Sequence, residues 1–248
     1  MKVFLVSDST VQSYDGYYYP QTGWGQVFWE YFNEREKMKE TVCEACTYPQ
    51  SRAYIMPSVT IENRAIGGRS SRSFIEEGKL KEIEPVLSCG DYMLVQFGHN
   101  DATIQRPERY VPAEDFHIYI QQYIDICREK SAECILVTPV ARRNCDNTEV
   151  FKISFDEYRQ VMLKMAEEQD LPVLDLGRLS TDYLNKIGNK KSKELYLHTK
   201  KGQYKGAYEE GAEDNTHLSI NGARIYAEMA AELIKENKKL KKLAELLK

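Results

Sequence analysis

The sequence predicts an α/β fold, a three-layer α/β/α sandwich around a parallel sheet of about five strands. Two observations predict it. Short β-rich runs alternate with helix-period runs about five times along the chain. That order lays strands parallel, with right-handed crossovers and helices on both faces. The central runs, Met93-Leu94-Val95 and residues 133–140, are continuously apolar rather than alternating. Strands buried on both faces have that pattern.

The elements follow in order. Residues 2–6 are a β-rich opening strand. Residues 24–36 carry Val27, Phe28, Tyr31 and Phe32 at helical spacing. Residues 38–57 hold Cys43, Cys46 and two prolines, and are expected to be an irregular insertion. Residues 59–65 alternate like a strand and run into Gly67-Gly68; 73–87 have a helical pattern, and 91–97 a buried-strand pattern. Phe116, Tyr119, Ile120, Tyr123, Ile124 and Cys127 mark an amphipathic helix over 114–129. A strand follows at 133–140. Ser154 and Glu157 have capping-box spacing and should open a helix running to Gln169. A strand at 172–176, a helix at 220–234 and a Lys-rich stretch of helical spacing at 235–248 complete the chain. No fixed-period repeat and no Pro/Gly/Ser linker divides it, so residues 1–248 are expected to form one domain.

Composition closes several classes. Apolar residues make up 42% and charged residues 29%, values of a globular protein rather than a disordered one. A net charge of −4 is a poor footprint for a nucleic-acid binder. The opening apolar run is too short for a signal-peptide core or a membrane span. The chain is therefore expected to be cytoplasmic, or secreted should a leader precede residue 1. Of six cysteines only Cys43 and Cys46 form a CxxC pair. A four-thiolate zinc site would need scattered ligands, so no metal is expected. Seventeen tyrosines against eight phenylalanines and two tryptophans suit a surface that meets polar ligands such as sugars. No G-x-S-x-G elbow, G-x-G-x-x-G loop or Walker loop occurs.

Sheets of this class bind ligands at the carboxyl ends of their strands. Three polar segments fall there: Ser7-Asp8-Ser9-Thr10, Gly67-Gly68-Arg69-Ser70 and Gly98-His99-Asn100-Asp101. A fourth, Asp214-Asn215-Thr216-His217, precedes the last long helix. A serine nucleophile needs a base and a group that orients the base. Of four histidines, His117 falls within an amphipathic helix and His198 in a Lys/Tyr-rich loop that looks solvated. His217 has Asp214 three residues before it, a spacing that suits an oriented base and equally a helix cap. Gly68 could offer a backbone N–H and Asn100 a side-chain amide to an oxyanion. Either could also be an ordinary turn residue.

Taken together and in this order, the four blocks resemble those of the SGNH (GDSL-type) hydrolases: Ser9, Gly68, Asn100, then Asp214 with His217. The strings Asp8-Ser9-Thr10, Gly23-Trp24-Gly25-Gln26, Gly67-Gly68-Arg69-Ser70-Ser71-Arg72-Ser73-Phe74, Phe97-Gly98-His99-Asn100-Asp101 and Glu213-Asp214-Asn215-Thr216-His217 are similar to the rhamnogalacturonan acetylesterase branch. The resemblance implies a flavodoxin-like SGNH fold and hydrolysis of an O-acetyl ester on a pectin-type oligo- or polysaccharide. It implies Ser9 as nucleophile, His217 as base and Asp214 as orienting group. It gives the oxyanion to the Ser9 N–H, the Gly68 N–H and the Asn100 side chain, and it implies no cofactor. Trp24, Arg69, His99 and Asp101 are expected to line the cleft. Arg69 either pairs with a uronate carboxylate or forms a surface ion pair. An esterase for another acyl group (xylan acetyl, lysophospholipid or thioester) and a non-catalytic carbohydrate-binding protein are the alternatives. Two departures stand out: Ser7 replaces the family's glycine, and 38–57 is longer than the usual connection.

Overall fold

The computed structural model describes residues 1–248. The strands are β1 (Lys2–Ser7), β2 (Lys39–Val42), β3 (Arg52–Ile55), β4 (Thr60–Asn63), β5 (Tyr92–Gln96), β6 (Glu133–Val137), β7 (Val173–Leu174), β8 (Tyr196–Thr199) and β9 (Ala212–Leu218). The α-helices are α1 (Trp24–Val27), α2 (Ser71–Glu76), α3 (Lys79–Ile83), α4 (Ala113–Glu129), α5 (Asp156–Glu168), α6 (Leu176–Ser192), α7 (Ile220–Glu236) and α8 (Lys241–Ala244). The main sheet has the order β2-β3-β4-β1-β5-β6-β7. Its five members from β4 to β7 run parallel, as expected. No helix is long and apolar enough to cross a membrane.

Residue alternation along β1 divides the core. Val3 and Leu5 face one apolar cluster with Trp24, Phe28 and the buried stripe of α7. Phe4 and Val6 face the other, with Phe74 of α2, Phe116 and Tyr123 of α4, and Met162 of α5. Successive side chains of a strand point to opposite faces, so one run of apolar residues serves two layers.

Several expectations are corrected. The 38–57 segment is not irregular: β2 and β3 form an antiparallel hairpin that extends the sheet beyond β4. Every residue of β2 is exposed, so no buried face leaves a period-two signature in Lys39-Glu40-Thr41-Val42. The expected helix at 24–36 is one α-turn followed by 3-10 turns over Phe28–Tyr31 and Arg35–Lys37. The 73–87 helix is two, separated at Gly78, whose φ of +75° is left-handed. The Ser154 capping box does not form. Phe155 precedes α5, and the Ser154 hydroxyl instead accepts from the Arg142 N–H at 2.9 Å. Helix α6 had no counterpart in the sequence pattern, because its buried positions include Gly177, Ser180 and Thr181 rather than an apolar stripe. The Lys-rich 235–248 stretch is a short 3-10 turn and α8, anchored by buried Leu240, Leu243 and Leu247.

Candidate active site

The parallel strands β4, β1, β5 and β6 end on one edge of the sheet, and the loops leaving them form a cleft of about 910 Å³. Ser9 lies two residues beyond β1. The Asp8 carbonyl closes a tight turn by accepting from the N–H groups of Val11 (3.2 Å) and Gln12 (3.1 Å). The Asp8 side chain accepts from the Thr10 N–H (2.9 Å) and the Thr10 hydroxyl (2.8 Å). Ser7 ends β1 with backbone that is not left-handed. Its buried hydroxyl donates to the Gln96 carbonyl at 2.5 Å.

His217 and Asp214 come not from a loop but from β9. Register with β8 jumps from Tyr196–Leu218 to Leu197–Asp214, so Asn215, Thr216 and His217 form a bulge. Bulges re-aim side chains, and this one turns residues 214 and 217 towards each other. One carboxylate oxygen of Asp214 accepts from the N–H groups of Thr216 (2.6 Å) and His217 (3.0 Å). The other lies 2.7 Å from His217 Nδ1, and His217 Nε2 lies 3.1 Å from Ser9 Oγ. With the Nδ1 proton directed to Asp214, Nε2 is left to accept from the serine hydroxyl. Burial alone would raise the Asp214 carboxyl. The His217 ring and the two N–H donors outweigh it and hold the group down at about 2. Such a line can draw a proton off Ser9 and stabilise the imidazolium that results.

Gly68 sits in the turn after β4 with φ +80°, a conformation that favours glycine. No acceptor within the protein takes the N–H of Ser9 or of Gly68. The Asn100 amide donates one hydrogen to the Arg69 carbonyl at 2.8 Å, and its second remains for a ligand. Ser9, Gly68 and Asn100 all line the cleft.

Of the four residues expected to line the cleft, only His99 does. Its ring packs on Phe155 with centroids 4.6 Å apart, and Nδ1 lies 3.5 Å from an Asp8 carboxylate oxygen. Burial pushes its pKa down, which favours the neutral ring. Trp24 is a core residue. Its indole N–H donates to the Gln96 side chain at 3.0 Å and its ring meets Phe28 edge-on. Asp101 is fully buried and accepts from the Ser71 N–H (2.9 Å), the Ser71 hydroxyl (2.5 Å) and the Gly98 N–H (3.0 Å). It ties the loop after β5 to the start of α2. Burial lifts its carboxyl to about 7 against those donors. Arg69 stands outside the cleft, donating to Glu77 and to the Gly67 carbonyl, each at 3.0 Å. Of its two expected roles, the ion pair is the one present. His198 is not solvated but half-buried, 2.8 Å from the Asn215 side-chain oxygen.

The cleft also recruits residues that sequence proximity to the motifs did not single out. The Tyr14 hydroxyl donates to the Ser9 carbonyl at 2.9 Å. Tyr18, Tyr48 and Gln50 share the lining, the last two from the β2–β3 hairpin. The tyrosine surplus was the one sequence signal pointing to them. Arg109 and Arg142 line it too, with no such signal. Their side chains contact the Gly68 carbonyl (3.3 Å) and the Thr216 hydroxyl (2.8 Å). Cys43 lies away from the cleft, and burial pushes its thiol up to about 12. Cys46 donates to the Ser51 hydroxyl at 3.2 Å. No group of three or more His, Cys, Asp or Glu side chains is placed to hold a metal ion.

Comparison with known proteins adds a family. The model of the GDSL-like Lipase/Acylhydrolase family matches residues 8–225. The chain is 35% identical over 236 residues to the rhamnogalacturonan acetylesterase RhgT of Bacillus subtilis (strain 168), covering 95% of this chain and 90% of that protein. It is 35% identical over 235 residues to the probable rhamnogalacturonan acetylesterase YesY of the same strain, covering 94% and 92%. Among solved structures, the YxiM protein of Bacillus subtilis superposes with a TM-score of 0.73 at 25% identity. That match covers 95% of this chain but 56% of the other, so this chain spans little more than half of it. The acetylxylan esterase Axe2 of Geobacillus stearothermophilus shares the fold, with a TM-score of 0.61 at 15% identity over 94% of this chain and 93% of that one.

Proposed function

The chain belongs to the GDSL-like lipase/acylhydrolase family, and from that premise we propose that it is a serine esterase removing O-acetyl groups from carbohydrate, with acetylated rhamnogalacturonan-type pectin fragments as substrate. The observation that carries the reading is the continuous line from Ser9 Oγ through His217 to Asp214 at the edge of a polar cleft. Ser9 Oγ attacks the acetyl carbonyl while His217 Nε2 takes its proton. The carbonyl oxygen becomes an oxyanion among the Ser9 N–H, the Gly68 N–H and the Asn100 amide. As the tetrahedral adduct collapses, the carbon–oxygen bond to the sugar breaks and His217 gives its proton to the departing sugar oxygen, which leaves as a hydroxyl. Water, deprotonated by His217, then attacks the acetyl-enzyme, and acetate leaves as Ser9 regains its proton.

Substrate class is supported by the lining and by the relatives. Tyr14, Tyr18, Tyr48, Gln12, Gln50 and Asn144 offer hydrogen-bonding groups and amphipathic rings rather than an apolar slot for an acyl chain. The two full-length relatives above carry rhamnogalacturonan acetylesterase names. Arg109 and Arg142 border the cleft without a carboxylate partner in the protein, and the Arg109 Nε is buried without an acceptor. Such guanidinium groups favour a sugar that carries a carboxylate.

The test is acetate release from acetylated pectic and xylan oligosaccharides, alongside p-nitrophenyl esters of increasing chain length. The reading expects acetate from the pectic fragments fastest and a steep fall with acyl length. Rapid cleavage of long acyl esters with no acetate from any sugar would overturn it.

A further inference from the structure

Arg69 does not line the cleft, yet it holds the turn that carries one of the three oxyanion donors. Its Nη1 donates to the Gly67 carbonyl at 3.0 Å and its Nε to Glu77 at 3.0 Å. The peptide joining Gly67 to Gly68 is trans, so its C=O and N–H point in opposite directions. A guanidinium that fixes the Gly67 carbonyl therefore also fixes the Gly68 N–H, in the opposite direction. The preceding peptide is held as well. The Gly67 N–H donates to the Gln12 side-chain oxygen, which also lies 3.0 Å from the Tyr48 hydroxyl. Gln12 belongs to the Ser9 loop, its own N–H bound to the Asp8 carbonyl. The two loops touch: a Cβ placed on Gly67 would lie 3.5 Å from Ser9 Cβ.

We infer that Arg69 is a positioning residue that aims the Gly68 N–H at the oxyanion, with Gln12 bracing the same turn from the Ser9 side. The inference rests on the esterase reading above. It assigns Arg69 a role that is neither contact with substrate nor a plain surface ion pair. Gly68 is left-handed and free of a side chain that could fix it, so the direction of its N–H depends on what its neighbours' carbonyls and N–H groups bind. Without Arg69 the Gly67 carbonyl loses its one donor within the protein and the peptide can tilt between its held neighbours, and a donor displaced by about 1 Å loses much of its value in the transition state.

The test uses p-nitrophenyl acetate, a neutral ester with no carboxylate for an arginine to meet. Arg69→Ala, Arg69→Lys and Ser9→Ala are measured for kcat, KM and melting temperature. The expected result for Arg69→Ala is a kcat at least fivefold lower, roughly tenfold or more, with KM and melting temperature little changed. Arg69→Lys keeps a charged donor for the Gly67 carbonyl and should recover most of that loss. A kcat loss under fivefold for Arg69→Ala overturns the inference. So does a loss confined to KM, or an Arg69→Lys variant no better than the alanine. Ser9→Ala separates the two readings: if it remains active, the esterase reading fails and takes this one with it. If it is dead while Arg69→Ala is not impaired, only this inference fails.

Discussion

At the scale of single residues, Asp214 is pulled two ways. Burial disfavours its charge, while the His217 ring and two backbone N–H groups favour it and prevail, leaving its carboxyl at about 2. It therefore stays ionised well below neutral pH. An imidazolium cannot accept from Ser9, so the proposed base works only as the neutral ring. A pH–rate profile should therefore fall towards acid pH, and a profile with no acidic limb would contradict a histidine base. Asn100→Ala should lower kcat by about 10²–10³ with KM little changed, because an oxyanion donor acts mainly in the transition state. Steady-state constants and a melting curve on the same sample check this; wild-type kcat with lowered stability would make Asn100 a turn residue only. Asp101 gives a stability test. Its carboxyl is lifted from an ordinary value near 3.8 to about 7, so the folded chain binds that proton more tightly than the unfolded one. The sign follows: the stabilisation is complete below about pH 4 and is lost as pH rises through about 7. Wild type minus Asp101→Asn, by denaturant unfolding at each pH, should fall by up to about 4 kcal/mol over that window. A difference independent of pH would remove the assignment. Ser9, Asp214 and His217 were singled out in the sequence by residue type and chain order, and the structure brings them into one hydrogen-bonded line. Trp24, Arg69 and Asp101 were misassigned because adjacency to a motif does not say which way a side chain faces.

Elements differ in how plainly their sequences announce them. The five parallel strands and helices α4 and α7 were legible from buried runs and from a 3.6-residue period, both direct consequences of burial. The β2–β3 hairpin was not, since β2 buries nothing. Nor was β9, whose Asp214–His217 bulge interrupts alternation where the site needs two side chains to converge. Helix α6 was hidden by its small, polar buried residues. The C-terminal stretch was legible only as helical spacing, and the structure shows what anchors it. Leu243 is fully buried in the cluster beneath α7, and Leu247 bridges to Phe32. Leu243→Ala should cost roughly 2–4 kcal/mol, as truncation of a core leucine does. Thermal or denaturant unfolding checks it, and an unchanged midpoint would mean that the stretch frays instead of packing.

Over the whole molecule, parallel topology is what assembles the site. Four strand ends gather Ser9, Gly68, Asn100 and Arg142 on one edge, and the β8–β9 hairpin brings Asp214 and His217 over it. The β2–β3 extension contributes Tyr48 and Gln50, so the hairpin at the sheet's edge also shapes the cleft. Its effect should fall on substrate choice more than on chemistry. Tyr48→Phe should therefore change the ratio of kcat/KM on pectic to xylan acetates more than it changes kcat on p-nitrophenyl acetate. An equal loss on all three substrates would assign Tyr48 to the chemistry instead. The central claim is that Ser9 carries the acetyl group between two half-reactions. Its most direct measurement is rapid acid quench during turnover of an acetyl ester, followed by peptide mass spectrometry. The account predicts one acetyl group on the peptide containing Ser9, absent from Ser9→Ala and accumulating in His217→Ala only slowly. Acetate release by wild type at full rate with no acetylated Ser9 peptide, together with an active Ser9→Ala variant, would contradict it.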